Sequence, residues 1–407
     1  MVKVYIETYG CTFNKADSQI MKGILKKKGF DLVERAEKAD VIIINTCYVK
    51  LPTQQKMIGR IGELKKYGKS LVIAGCMVEI DEKTLLRIAP KAAWIGPHRI
   101  KDVCYVVEQL LKGKIIRLIG EKKEIKVTLP YLRENPVIEI VPICEGCVGT
   151  CSYCCTKFAR KKLFSYPAPL ILSRIRKAVR NGVREIWLTS QDTALYSWKD
   201  KRLGDLLGEI CKVKGKFFVR IGMMNPSSLL RVFDGFLVNF KKEKVFKFIH
   251  LPVESGSNRI LELMRRNYSV EEFVSLVSSL RKEVKELTLS TDIIVGFPGE
   301  RKLDFKKSYK LIKKIEPDIV NLSKYGPRPG TDASKMKMIP QGEVKRRSKK
   351  LYELVRKISL KRNIAWIGWK GEVLIDEKGK GNTWVGRNYT YKPIIVCLLY
   401  TSPSPRD

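Results

Sequence analysis

Three short, mostly apolar runs near the start of the chain, VKVYIETYG, DVIIINT and SLVIAG, constrain the fold more than any other feature. Runs of this length, rich in Val and Ile, are the pattern of strands buried on both faces, and such strands belong to parallel sheets covered by helices. Between them lie stretches with apolar residues at helical spacing, Ala16 to Lys28 and Gln54 to Tyr67. The alternation over residues 1–128 predicts a doubly wound parallel α/β domain.

A charged stretch from Glu121 to Asn135, containing Pro130 and followed by Pro136, reads as a linker. From Val137 the alternation resumes with VIEIVPI, VREIWLTS, KFFVRIG, KVFKFIHL, LTLSTDIIVG and DIVNLSKY, separated by helical patterns such as Leu170 to Arg180. Six such units over residues 136–340 predict an open, partial (βα)6 barrel rather than the closed eight-unit form. Residues 341–366 read as a basic helical connector, with Lys345, Arg346, Arg347, Lys349, Lys350, Arg356, Lys357, Lys361 and Arg362 on several faces. Residues 367–396 read as two or three strands, too few to close a small β-barrel. The final residues 397–407, CLLYTSPSPRD, fit neither strand nor helix and are expected to be a non-native tail.

Composition narrows the function. With 407 residues, 44% of them hydrophobic and 30% charged, the chain is neither fibrous nor wholly disordered and has length for two or three domains. Its longest uncharged apolar stretch, near Ile394 to Tyr400, is far short of the roughly 18 residues that a membrane span needs, and MVKVYIETYG lacks a signal-peptide pattern. A cytoplasmic protein with no membrane association is expected. Lys and Arg number 79 against 42 Asp and Glu, a net charge of +37, which favours a polyanionic partner, nucleic acid above all, over a merely solvated surface. Eleven cysteines without an export signal point to metal or redox chemistry rather than disulfides.

Cys147-Val-Gly-Thr-Cys151-Ser-Tyr-Cys154 places three thiols in one loop after the first barrel strand. This spacing suits three irons of a [4Fe-4S] cluster and leaves the fourth without a protein ligand. Structural zinc sites pair two CxxC motifs or add His, and neither is nearby. Cys11, Cys47 and Cys76 each follow one of the three N-terminal strands, 36 and 29 residues apart. Parallel strands gather their carboxyl ends along one edge, so these thiols are expected to converge as a second three-thiolate site, unless they are simply buried small hydrophobes. Cys104 and Cys211 read as core residues, and Cys144 and Cys155 as bystanders.

These residues resemble the methylthiotransferase family of radical S-adenosylmethionine (SAM) enzymes. The matching stretches are TYGCTFNKADSQIM, NTCYVK, AGCM, EGCVGTCSYC, LTSQDTALY, HLPVESGSNRIL, TDIIVGFPGE and SKYGPRPGT. The resemblance implies a SAM cluster on Cys147, Cys151 and Cys154, an auxiliary cluster on Cys11, Cys47 and Cys76, and a C-terminal RNA-binding TRAM domain. It also implies SAM as cofactor, an electron donor such as a ferredoxin or flavodoxin, and no dedicated acid–base dyad. The segment after the SAM cysteines, TKFARKKLFSYP, looks like the archaeal and eukaryotic branch, with Lys161 where that branch has Gly. That branch converts N6-threonylcarbamoyladenosine at position 37 of the tRNA anticodon loop to its 2-methylthio derivative. By position at the strand ends, Ser190, Gln191, Glu254 and Gly296 are expected near SAM, and Thr156, Lys157 and Arg160 near substrate. Pro327, Arg328 and Gly330 are expected to fix a turn rather than touch SAM, with Arg328 also a candidate phosphate contact, and Gly10, Asn14 and Asp17 are expected to shape the Cys11 loop. The competing readings are an enzyme acting on isopentenyladenosine tRNA or on a ribosomal protein side chain, and a non-catalytic iron–sulfur RNA-binding protein.

Overall fold

The computed structural model describes residues 1–397; residues 398–407, the bulk of the expected tail, lie outside the described part. The N-terminal sheet has six parallel strands, Lys3–Thr8, Asp31–Leu32, Val41–Thr46, Ser70–Gly75, Ala93–Ile95 and Arg117–Leu118, with the second and first exchanged in the spatial order. Side chains alternate between two cores, as the pleat requires. Ile42, Ile44, Leu71 and Ile73 pack with Met57, Ile61 and Leu64 of the helix Leu51–Lys65. Val41, Ile43, Val72 and Ala74 pack on the other face with Ile20, Met21 and Leu25 of the helix Thr12–Lys27 and with Val103, Val106 and Val107 of Val103–Leu111. Two covered faces make the domain doubly wound.

The second unit has six parallel strands in chain order. Ile138–Pro142, Glu185–Thr189 and Phe218–Ile221 form one sheet, and Phe248–His250, Thr288–Val295 and Ile319–Lys324 form another. A single parallel bridge, Val219 to Val245, links the two groups. No pairing joins the first strand to the last among the described residues, so the array is open. One large apolar core packs these strands against the helices around them and also takes in Val344, Leu351, Leu354 and Ile358 of the helix Gln341–Ile364.

Three antiparallel strands follow, Leu374–Lys378, Trp384–Arg387 and Pro393–Val396. They dock at the amino ends of the barrel strands, where Lys247 N donates to Tyr389 O (2.8 Å) and Tyr391 packs on Phe246 and Phe248. No helix among the described residues is long and apolar enough to cross a membrane.

Candidate functional site

Segments past the carboxyl ends of N-terminal and barrel strands, among them Val49 to Pro52, Glu254 and Gly296, line one cavity. Cys11 is the residue before the helix Thr12–Lys27, Cys47 follows Val41–Thr46 directly, and Cys76 follows Ser70–Gly75. The helix begins at Thr12, about one turn before the Ala16 start expected from its apolar spacing. Asn14 Nδ2 donates to Tyr9 O (3.0 Å) and Thr46 O (2.8 Å), fixing two of the strand ends. Its Oδ1 lies 4.0 Å from Cys11 Sγ and 3.9 Å from Cys76 Sγ. Gly10, at φ +107°, leaves Cys47 Sγ only 2.8 Å from where a Cβ would stand. One asparagine and one glycine thus bring the three thiols into a single neighbourhood. Burial pushes Cys47 and Cys76 up, Cys76 to about 12, so as free thiols both are neutral. Among the described residues no three His, Cys, Asp or Glu stand close enough for one metal ion.

The second triad sits in the loop between the short strand Cys144–Glu145 and the helix Thr156–Arg160. Gly146, at φ +87°, opens the loop where the carbonyl of Lys162 would lie 2.1 Å from any Cβ, so glycine is required there. Gly146 N donates to Gln191 Oε1 (2.7 Å) and Gly149 N to Cys147 Sγ (3.2 Å). The half-buried Arg266 sends Nη1 toward Cys151 Sγ (3.6 Å) and Nη2 to Pro252 O (3.0 Å), with Nε on Tyr268 Oη (3.2 Å). The sequence reading missed Arg266, since an arginine in LMRRNYS gives no local signal of where it folds.

The cavity, of about 830 Å³, is lined by Val49 to Pro52, by Tyr153, Cys154, Cys155 and Thr156, and by Glu254, Asp292, Gly296 and Lys324. Of the residues expected near SAM, Glu254 and Gly296 reach it. Glu254 adopts φ +65°, a strained geometry for a non-glycine residue, and bridges to Ile293; burial raises its carboxyl, while Arg266 opposes the rise. Gly296 does two jobs, since Val344 of the long helix lies 2.5 Å from where its Cβ would be. Ser190 and Gln191 are not on the cavity wall: Ser190 Oγ accepts from Asp192 N (3.0 Å) and Gln191 holds the loop at Gly146.

Of the residues expected near substrate, Thr156 lines the cavity, while Lys157 lies over the Phe158 ring off its wall. Arg160 corrects the expectation outright. It is 1% exposed, with Nη1 2.8 Å from Asp17 Oδ2 and 2.6 Å from Glu145 Oε1 and Nη2 2.7 Å from Asn14 Oδ1. Lys126, from the stretch read as linker, closes the network at 2.9 Å from both carboxylates. Two cations and two carboxylates cancel, so the desolvation of each is offset by a partner and none remains for a ligand. Arg328 is buried and bonds Gln54 Oε1 (2.7 Å) and Val49 O (3.1 Å), which clamps the two domains together. On the long helix, Arg347 is buried against Glu300 and Glu343, and Arg346, Lys361 and Arg362 are paired with Glu343, Glu316 and Asp318.

Comparison with known proteins matches residues 3–96 to the Uncharacterized protein family UPF0004 and residues 141–312 to the Radical SAM superfamily. A probable threonylcarbamoyladenosine tRNA methylthiotransferase of Methanothermobacter thermautotrophicus is 45% identical over 97% of this chain and 94% of its own length. The chain belongs to that family of methylthiotransferases. The human threonylcarbamoyladenosine tRNA methylthiotransferase is 34% identical over 97% of this chain and 69% of its own length. The methylthiotransferase fold is also matched by a radical SAM methyltransferase from Kitasatospora setae, with a TM-score of 0.60 at 13% identity over 82% of this chain and 74% of that one. A cobalamin-dependent SAM radical enzyme matches with a TM-score of 0.57 at 11% identity over 89% and 56%. At such identities the likeness concerns the fold, and membership of the family brings SAM and one [4Fe-4S] cluster as cofactors.

Proposed function

We propose that the chain is a tRNA methylthiotransferase that converts N6-threonylcarbamoyladenosine at position 37 to its 2-methylthio derivative. The observation that carries this reading is a cavity lined both by Cys154, from the loop triad, and by Val49 to Pro52, the segment that follows Cys47 of the strand-end triad. Cys147, Cys151 and Cys154 are the donor set for the SAM cluster, with Arg266 toward Cys151 and Thr156 beside Cys154. Cys11, Cys47 and Cys76 are the donor set for a second [4Fe-4S] cluster, supported by their shared neighbours Asn14 and Gly10. Bound there, these groups supply the one-electron chemistry that an unactivated C–H bond demands and that no side chain can provide.

The protein's own part is to bind, orient and exclude water. Glu254 and Asp292 form a polar floor, Asp292 being held by His250 Nε2 (3.0 Å) and Asn321 Nδ2 (2.6 Å). Leu51, Ile294, Leu322, Met338 and Ile339 supply apolar wall against a base. An anticodon-loop adenosine can be presented to such a cavity because its base is single-stranded. The reductant is a low-potential carrier such as a ferredoxin or flavodoxin, and the site of action is the cytoplasm, where tRNA is modified.

Anaerobically reconstituted protein with SAM and dithionite should methylthiolate tRNA bearing the threonylcarbamoyl group and leave the same tRNA without it unchanged, as read by nucleoside mass spectrometry. Comparable turnover on isopentenylated tRNA or on a ribosomal protein alone would overturn the assignment.

A further inference from the structure

Cations suited to an anionic substrate are expected in the segment after Cys154, yet Arg160 is locked in a neutral network and Lys157 is off the cavity wall. The cations that do reach the cavity come from elsewhere. Lys50 precedes the helix Leu51–Lys65, Lys324 ends the strand Ile319–Lys324, and Lys345 and Lys349 stand one turn apart on the helix Gln341–Ile364. All four are exposed and, among the described residues, none forms an ion pair. The fifth cation on the wall, Arg328, has no ion pair either, but it is buried and its guanidinium is held in place by Gln54 Oε1 and the Val49 carbonyl. Three elements distant in sequence therefore place four lysines without ion pairs on the wall of one space, whose acidic members are Glu254 and Asp292. Asp292, whose carboxylate Lys50 helps to hold low, is hydrogen-bonded by His250 and Asn321 and makes no ion pair with Lys50.

We propose that Lys50, Lys324, Lys345 and Lys349 are the specificity-determining cations for the modified base, and that they recognise the carboxylate of its threonylcarbamoyl substituent. The assignment rests on the tRNA reading above and sharpens it. An ammonium rim takes a carboxylate through charge-assisted hydrogen bonds, and lysine's flexible stem lets several converge on one group. Backbone phosphates offer the same charge, but every tRNA has them, whereas the carboxylate is present only after threonylcarbamoylation. The two sources are thus separable by a single comparison.

The experiment uses the full reconstituted chain and one tRNA prepared with and without the threonylcarbamoyl group, at fixed salt. The double variants K345Q/K349Q and K50Q/K324Q should each bind the modified tRNA about tenfold more weakly. Binding of the unmodified tRNA should change far less, so the preference for modified tRNA narrows in kcat/KM as well as in Kd. K345R/K349R should restore the preference, because charge rather than shape is being read. Equal losses on both tRNAs would reassign the lysines to phosphate contact and overturn the proposal, as would unchanged binding of both. All four lysines are exposed, so wild-type thermal transitions are expected and either pair alone decides. Failure of the wild-type enzyme to methylthiolate the modified tRNA would instead remove the functional reading itself.

Discussion

The two cysteine triads differ in how they are built. Cys147, Cys151 and Cys154 share one loop of eight residues, are only partly buried, and take their geometry from Gly146, Gly149 and a single incoming arginine. Cys11, Cys47 and Cys76 come from three strand ends, two of them are buried, and their spacing depends on the register of a parallel sheet and on Asn14. The first site is local and stands open to the cavity through Cys154; the second is a product of tertiary packing and is coupled to the first through Arg160. A local site tolerates damage elsewhere in the fold, whereas a site assembled from sheet edges inherits the stability of every element that holds them.

The largest expected effect breaks the comparison by ligand. Cys151→Ala should abolish formation of 5′-deoxyadenosine from SAM, whereas Cys47→Ala should leave that cleavage measurable and remove the methylthiolated nucleoside. Equal loss of cleavage in two folded variants would mean that the sites do not divide the work.

Next in size is the link between them. Arg160→Met leaves Asp17 and Glu145 sharing Lys126 alone, and removing one member of a buried ionic network costs about 3–5 kcal/mol. Thermal unfolding should fall accordingly, and iron should be lost from the N-terminal site before the loop site, as counted by iron per chain in Cys151→Ala and Cys47→Ala backgrounds. Loss of iron from both sites in parallel would show that the network supports the whole fold rather than one edge.

A third test uses a region remote from both triads. Glu185, buried against Asp376 of the C-terminal sheet, is pushed up to about 7, chiefly by burial and also by that second carboxylate, with Trp187 and Arg387 opposing. A folded value above the unfolded one means that the folded state binds the extra proton. Stability contributed by Glu185 is therefore full below about pH 4.5 and declines as pH rises toward about 7. Glu185→Gln should flatten the unfolding midpoint across that window while leaving iron content untouched. A midpoint slope that persists in this variant would place the titrating group elsewhere.

The smallest effect concerns Lys161, which ends the helix Thr156–Arg160 at φ 51° and ψ −142°, a conformation suited to glycine. Relief of strain in Lys161→Gly, on the order of 1–3 kcal/mol, is partly offset by the lost ion pair to Glu79 (3.0 Å). A net gain of about 1 kcal/mol in chemical denaturation is expected, and a net loss would show that the Glu79 contact outweighs the backbone.

Much of this molecule was legible before any coordinate. Strand identity followed from apolar runs, since burial on two faces leaves little room for polar residues, and the placement of Cys11, Cys47 and Cys76 past strand ends followed from those runs. The thiol spacing of the 147–154 loop was equally plain, because its chemistry is local. Side-chain destinations were not: Thr156, Lys157 and Arg160 are neighbours in sequence, yet one lines the cavity, one lies off its wall and one is buried among carboxylates from two domains. A charge is cheap in water and costly in the interior, so where a cation ends up depends on which partners the tertiary fold brings to it. The sequence alone determined the layers, the two triads and the basic character of the chain. Only the folded structure decided which arginines became internal struts and which lysines were left free around the cavity.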